Sequence, residues 1–135
     1  MISLILPTLN EEENLVILLP KIQSILTNLE YEIIIVDDGS TDNTEQIALQ
    51  YGSKVNFVKS KRVKGEYYSN QRNKGIDSAK SDWLLHMDVD ERVTKELSIE
   101  ILAAISSDNY DAYKFKRLNY FFHRPMKGGG WADWN

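Results

Sequence analysis

Short apolar runs that alternate with stretches of helical periodicity constrain the fold of this chain more than any other feature. The runs have the length and the branched aliphatic content of buried strands. They lie at residues 2–6, 31–36, 55–58, at the run that begins at residue 83, and at 111–118. This order predicts an α/β fold with a mostly parallel sheet, right-handed crossovers and helices on both faces.

Prolines and capping residues set the expected boundaries of these elements. Pro7 should end the first strand, and Pro20 should kink or break the helix whose apolar spacing covers residues 15–29. Asp42, with Glu45 three residues later, matches a capping box at the start of a second helix. Thr94 is expected to cap a later one. The helices after the first are predicted at about residues 43–51, 67–78 and 95–105.

Composition limits the class of protein. The chain has 135 residues, of which 42% are hydrophobic and 27% charged, so we expect one soluble domain that spans residues 1–135. A net charge of -4 argues against nucleic acid as a partner. There is no cysteine, and the apolar run at residues 2–6 is too short for a signal peptide. We therefore expect a cytoplasmic location.

Polar side chains follow three of the predicted strands at the point where each strand ends. Thr8 and Glu11 follow the first strand, and Asp37 and Asp38 end the second. The run that begins at residue 83 ends in three carboxylates, Asp88, Asp90 and Glu91. Ligands of open α/β sheets bind at this carboxyl edge. If the last run stays extended, Asp88 and Asp90 point the same way.

Several kinds of ligand site are excluded by the turn sequences. The first turn has no glycine, so a G-x-G-x-x-G dinucleotide site is absent, and so is a G-x-x-x-x-G-K-[ST] phosphate loop. In the stretch at 37–42, Gly39 is misplaced for a calcium loop. A receiver-type domain that phosphorylates an aspartate at an Mg²⁺ site remains an alternative.

The remaining fit is a nucleoside diphosphate bound through a metal ion. Asp37 or Asp38 can accept a hydrogen bond from a base N–H, and uracil offers one such donor. Asp88 and Asp90 supply the hard oxygen ligands that Mg²⁺ or Mn²⁺ prefers, and Arg72 adds positive charge for the phosphates. Lys61, Arg62 or Lys64 could add further positive charge, although the basic loop at residues 59–64 is interpreted mainly as solvated.

Four motifs, in this order, resemble family 2 glycosyltransferases of the GT-A fold, a Rossmann-like α/β architecture. They are LPTLNEE at residues 6–12, IVDDGSTD at 35–42, QRNKG at 71–75 and MDVDE at 87–91, the last being the family's D-x-D motif. The resemblance covers essentially the whole chain. The segment at 120–131 resembles more narrowly the transferases that build lipopolysaccharide core or other cell-envelope glycans.

The resemblance implies a role for individual residues. Pro7, Thr8 and Glu11 would border the nucleoside pocket, and Asp38, with Asp37 beside it, would contact the base. The other implied roles are Arg72 and Asn73 near the base or diphosphate, Asp88 near the ribose or metal, and Asp90 as a metal ligand. The implied activity is transfer of a sugar, with inversion and metal dependence, from a nucleotide-sugar, UDP-sugar being favoured, to a glycan or lipid-linked acceptor.

The chain departs from the family pattern at its C-terminal end. It stops soon after the Gly-Gly-Trp segment, where family members continue, so we expect the domain to be truncated on its acceptor side. Trp131 is a candidate to stack on a sugar ring. Asp133 is the only carboxylate after Asp111 and thus the candidate general base. The alternative is a nucleotide-binding fragment without turnover. Association with the inner face of the cytoplasmic membrane is left open.

Overall fold

The structure is a computed structural model that describes residues 1–107 and 109–126. Trp131 and Asp133, the predicted sugar-stacking residue and general base, lie outside the described residues. The chain divides into two units, Met1–Leu102 and Ala103–Asn135. In the described part of the chain, no helix is long and apolar enough to cross a bilayer.

The first unit is built on a four-stranded parallel sheet. The strands are β1 (Ile2–Thr8), β2 (Tyr31–Asp37), β3 (Val55–Lys59) and β4 (Trp83–His86), in the order β3-β2-β1-β4. The helices are α1 (Glu12–Ile25), α2 (Thr44–Leu49), α3 (Tyr68–Ser78) and α4 (Lys95–Ser107), and a 3₁₀ turn covers Gly52–Lys54. The chain therefore moves outward from β1 through β2 to β3 and then crosses to the other side of β1 for β4.

Alternating side chains of the central strands form two apolar layers. Leu4, Leu6, Ile33 and Ile35 face one way and pack in one cluster with Leu15 and Leu18 of α1, Ala48 of α2, and Leu97 and Ile101 of α4. Ile5 and Val36 face the other way, where α3 packs. Gly75 permits that packing, because a Cβ at this position would lie 2.4 Å from Cγ2 of Ile5. Helices on both faces were predicted, and the structure has them.

The prediction that Pro7 ends β1 was wrong, and Pro20 does not break α1. β1 continues through Pro7 to Thr8, because β4 ends opposite Ile5 and leaves β1 locally with an edge that tolerates proline. α1 continues through Pro20, which is exposed. The lost hydrogen bond costs about 3 kcal/mol. Burial of Leu15, Leu18, Leu19 and Ile22 on the same helix outweighs it, at about 1.5–3 kcal/mol each.

The predicted cap of α4 is confirmed, and the capping box of α2 is only half formed. Thr94 Oγ1 accepts a hydrogen bond from Leu97 N at 3.1 Å. Asp42 Oδ1 accepts one from Thr44 N at 3.0 Å, but Glu45 forms an ion pair with Lys59 at 2.7 Å. α2 ends at Leu49, before the predicted residue 51.

The second unit contains the end of α4 and an antiparallel hairpin. The hairpin strands are β5 (Tyr120–Phe121) and β6 (Arg124–Pro125), joined by Phe122 and His123 at positive φ. The strand predicted at residues 111–118 is wrong. Those residues are exposed and have no regular structure, because an apolar run becomes a strand only where another strand pairs with it.

Candidate functional site

The strand order places a topological switch point between β1 and β4. Connections from β1 run to β2 on one side, whereas β4 lies on the other side of β1. The carboxyl ends of β2, β1 and β4 meet at this edge and present Asp37, Thr8 and, one residue beyond Met87, Asp88. Crevices at such points bind ligands in α/β sheets.

Asp37 stabilises the turn that follows β2. It is buried, and its Oδ2 accepts hydrogen bonds from the backbone N–H groups of Gly39 and Ser40, each at 3.0 Å. Its Oδ1 accepts a short hydrogen bond from the Ser40 hydroxyl. Gly39 has φ +91°, a conformation that other residues rarely adopt. Asp37 therefore holds the loop that presents its neighbour.

Asp38 is held by three donors from two elements. Its Oδ1 accepts hydrogen bonds from Arg62 N at 2.6 Å and from Gln71 Nε2 at 3.1 Å. Its Oδ2 accepts one from Arg62 Nε at 2.5 Å. The side chains of Asp38 and Arg62 are only 10% and 20% exposed. Burial alone would raise the pKa of Asp38, but the hydrogen bonds and charge of Arg62 hold it below its ordinary value.

Two neighbours fix the residues that hold Asp38. The guanidinium carbon of Arg62 lies 3.9 Å from the ring centroid of Tyr68, a cation–π contact. Gln71 is fully buried and donates from Nε2 to the Ser60 carbonyl at 2.6 Å as well as to Asp38. The Asp38 carboxylate is thus part of a network that joins the ends of β2 and β3 to α3.

The loops after β1 and β2 are joined by reciprocal hydrogen bonds. Asn10 N donates to Ser40 Oγ at 2.8 Å, and Thr41 N donates to Asn10 Oδ1 at 2.8 Å. Glu11 N donates to Thr44 Oγ1 at 2.9 Å, while the Glu11 carboxylate accepts from Asn14 Nδ2 at 2.8 Å. The Glu11 side chain therefore contacts the first turn of α1. These bonds hold Pro7 and Thr8 beside the Asp37 turn.

The acidic stretch after β4 is a turn. β4 ends at His86, Glu91 N donates to the Asp88 carbonyl at 3.0 Å, and Asp88 N donates to Glu91 Oε2 at 2.8 Å. The predicted side-chain alternation of Asp88 and Asp90 is therefore wrong, because it requires an extended chain. Asp90 lies in the turn and is exposed.

Arg72 connects α3 to this turn. Its Nη2 lies 2.9 Å from Asp88 Oδ1, and the two side chains are 44% and 49% exposed. Asn73, next along α3, is exposed. Partial burial and the nearby charge of Arg72 lower the pKa of His86. Arg72 therefore brings positive charge from α3 to the predicted metal-binding turn.

Comparison with known proteins decides the family. The model of glycosyl transferase family 2 matches residues 3–128 of this chain. This chain belongs to glycosyl transferase family 2.

Relatives in the family differ in what their names say they act on. Dolichol-phosphate mannosyltransferase of Pyrococcus furiosus is 32% identical over 133 residues, which cover 98% of this chain and 36% of the relative. The structure of Staphylococcus aureus TarS 1–349 in complex with UDP-GlcNAc has a TM-score of 0.65 at 30% identity, over 78% of this chain and 31% of that chain. This chain covers 36% of the mannosyltransferase and 20% of the curated TarS sequence.

A third likeness bears on the fold alone. The mannosyltransferase PcManGT of Pyrobaculum calidifontis, solved with GDP-Man and Mn²⁺, has a TM-score of 0.61 at 19% identity, over 74% of this chain and 31% of that protein. With TarS, it confirms the predicted GT-A fold, a mostly parallel α/β sheet with helices.

The carboxylates of the β4 turn are of the donor type that a divalent cation such as Mg²⁺ takes. No cluster of three or more histidine, cysteine, aspartate or glutamate side chains suited to a metal occurs within residues 1–107 and 109–126. Mg²⁺ commonly takes one or two carboxylates from the protein and completes its shell with phosphate oxygens and water. Asp90 is exposed in the turn, and Asp88 Oδ1 is paired with Arg72 Nη2 at 2.9 Å.

Sequence reasoning missed two residues that contact Asp38. Arg62 was considered only as a possible phosphate contact in a loop interpreted mainly as solvated, yet its side chain is 20% exposed and paired with Asp38. Gln71 stood in a recognised motif but received no role. A signal for Gln71 existed, because it lies four residues before Gly75 and therefore on the buried face of α3. The sequence carries no comparable signal for Arg62, since it lies in a loop 24 residues from Asp38.

Proposed function

We propose that this chain binds a nucleoside-diphosphate sugar, UDP-sugar being favoured, across the carboxyl ends of β2, β1 and β4. In the protein to which it belongs, the sugar is transferred to an acceptor hydroxyl. The observation that carries this proposal is the pairing of two unlike carboxylate sites on one sheet edge. Asp38 is fixed by Arg62 and Gln71, whereas Asp88 and Asp90 lie in an open turn.

The base end of the proposed site is formed by Asp38. One of its oxygens, Oδ2, accepts a single hydrogen bond within the described residues and so has capacity for one more. A base N–H can donate to it. Pro7 and Thr8 lie at the neighbouring strand end and border the nucleoside.

The diphosphate end of the proposed site is formed by Arg72, Asn73 and the β4 turn. The guanidinium of Arg72 is partly exposed and can turn from Asp88 towards a phosphate oxygen, where its planar donors match the geometry. Asp88 and Asp90 would hold Mn²⁺ or Mg²⁺, which would neutralise charge on the departing diphosphate. This would leave Asp90, which is exposed, as the more accessible of the two ligands.

The same proposal has three further parts. The reaction inverts the anomeric carbon, and the acceptor is a glycan or is lipid-linked. The protein works in cell-envelope or lipopolysaccharide synthesis at the inner face of the cytoplasmic membrane. They rest on the family resemblance. Direct displacement requires a base to take the proton of the acceptor hydroxyl. Asp133 remains the predicted base.

A binding titration tests the proposal. Calorimetry with UDP should show binding that Mn²⁺ strengthens, and Asp90→Ala should remove most of the Mn²⁺ effect. The matched control is Asp82→Ala, an exposed aspartate just before β4 at the opposite edge of the sheet. Binding that is indifferent to Mn²⁺, or an equal loss in both variants, would contradict the proposed site.

The second candidate is nucleotide binding without turnover. It is favoured by the described residues, which supply groups for the donor and assign none to the acceptor. Incubation of the chain with a UDP-sugar and Mn²⁺ separates the two candidates. Release of UDP above the rate of an Asp90→Ala control supports the enzyme, and binding without release supports the fragment.

A further inference from the structure

The hydrogen-bonding capacity of Asp38 is almost fully used within the chain. An ionised carboxylate has about four acceptor positions, two on each oxygen. Oδ1 already accepts hydrogen bonds from Arg62 N and Gln71 Nε2, and Oδ2 accepts one from Arg62 Nε. Among the described residues, one acceptor position therefore remains, on the oxygen that the guanidinium contacts.

The hydrogen bonds of Gln71 fix the orientation of its side chain towards Asp38. Both hydrogens of its Nε2 are used, one on Asp38 and one on the Ser60 carbonyl. Its Oε1 is buried and has no hydrogen-bond partner in the described part of the chain. Turning the amide over would place Oε1 against two acceptors, so the orientation is fixed. An unpaired buried acceptor is destabilising, and the fold tolerates it here.

The two nucleobases carried by the donors of solved relatives make different demands on such a carboxylate. The pairing edge of uracil has one N–H donor between two carbonyl oxygens. Guanine has two adjacent donors, N1–H and the N2 amino group, beside one carbonyl. A carboxylate with both oxygens free can pair with guanine at two points. A carboxylate with one free position beside a cation matches one donor and one adjacent carbonyl, which is the pattern of uracil.

We propose that Arg62 is the specificity-determining residue of the donor site and makes it select uracil over guanine. Its Nε takes one of the two acceptor positions on Oδ2, while its backbone N–H and Gln71 Nε2 fill Oδ1, so guanine finds one position for its two donors. The guanidinium N–H groups lie beside that position. This inference rests on the proposed function and deepens it by naming the donor as a UDP-sugar. The contact with Tyr68 holds the guanidinium plane in place.

The charge state of Asp38 supports the same conclusion. Burial would raise its pKa, but the Arg62 hydrogen bonds and charge keep it below the ordinary value. Asp38 is therefore ionised at neutral pH and can only accept hydrogen bonds. A base with a ring nitrogen acceptor at this position, such as cytosine, is rejected for the same reason.

The first test compares UDP with GDP, which differ only in the base. We expect the wild-type chain, with Mn²⁺, to bind UDP at least about tenfold more tightly than GDP, because guanine leaves a donor unpaired. Arg62→Met keeps the backbone donor and removes the guanidinium. It should reduce the UDP-to-GDP affinity ratio by about tenfold. The matched control Lys64→Met removes an exposed cation from the same loop and should leave the ratio unchanged.

Each outcome of this test is assigned. If the wild type binds neither nucleotide, the proposed function fails and the inference with it. If it binds both without a preference for UDP, or if Arg62→Met leaves the ratio unchanged, only the role of Arg62 is overturned. An equal change of the ratio in Lys64→Met would also overturn it, because loop charge would then suffice.

A second measurement uses the wild-type protein and so does not depend on how well the variant folds. Replacing one carbonyl oxygen of uracil by sulfur weakens its acceptance of a hydrogen bond. We expect either 2-thio-UDP or 4-thio-UDP to bind about tenfold more weakly than UDP, since a charged donor faces that carbonyl. If both analogues bind as UDP does, the guanidinium does not contact the base and the inference is overturned.

Discussion

The carboxylates at the ends of β2 and β4 lie on the same sheet edge but in opposite environments. Asp37 is buried and Asp38 is 10% exposed, and both accept several hydrogen bonds from the chain. Asp88 is 49% exposed and pairs with a half-exposed arginine, and Asp90 is exposed. One end of the edge is therefore ordered by the protein itself, and the other is largely left to solvent.

This difference matches what each end would have to recognise. A nucleobase is neutral and is read by directed hydrogen bonds, so a fixed acceptor lowers the entropy lost on binding. A cation with a diphosphate brings its own ligands and is bound by charge, so open carboxylates suffice. The Asp88–Arg72 pair is exposed enough to contribute about 0–1 kcal/mol, and it can be exchanged for a phosphate at little cost.

The largest expected effect is a difference in stability between variants at the ends of β2 and β4. Asp37→Ala removes the acceptor for two backbone N–H groups and a hydroxyl, and we expect it to lower the free energy of unfolding by about 3 kcal/mol. Asp88→Ala, its counterpart at β4, should cost about 0.5 kcal/mol. Urea denaturation of the two variants measures both values. Similar losses of unfolding free energy in the two variants would show that the ends of β2 and β4 are ordered by the protein to the same extent.

A smaller expected effect is a change in how stability depends on pH. The pKa values of Asp38 and Asp42 lie below the ordinary value, because hydrogen bonds from Arg62 and Thr44 outweigh the effect of burial. The stability they contribute is therefore complete above about pH 4 and is lost as pH falls through their lower folded-state pKa values. Urea unfolding at a series of pH values should show this loss, and Asp38→Asn should make it shallower. If the free energy of unfolding of Asp38→Asn depends on pH as steeply as that of the wild type, the expected contribution of Asp38 is contradicted.

The four strands of the parallel sheet and the polar edge were predictable, because both depend on local pattern. The run from Ile33 to Val36 can hardly be anything but a buried strand, and Asp37 follows it directly. The cap at Thr94 was equally local. Parallel strands then bring Thr8, Asp37 and Asp88 to one edge without further information.

The missed features depend on tertiary packing. Arg62 pairs with Asp38 only because the loop after β3 folds back over the end of β2. Pro20 stays helical because the opposite face of α1 is buried. The turn at Asp88 forms because the Glu91 side chain accepts a hydrogen bond from the Asp88 backbone, which alternation along a strand does not foresee.

The most direct test of the account locates UDP and the cation on the protein by amide NMR of the labelled chain. With UDP and Mg²⁺, the largest shift changes should fall on Asp38 and Arg62. Replacing Mg²⁺ by paramagnetic Mn²⁺ should broaden the signals of Asp88 and Asp90 first. Broadening centred instead on the acidic first turn of α1, or shift changes that leave Asp38 and Arg62 unaffected, would contradict the assignment of base and diphosphate to the two ends of this edge.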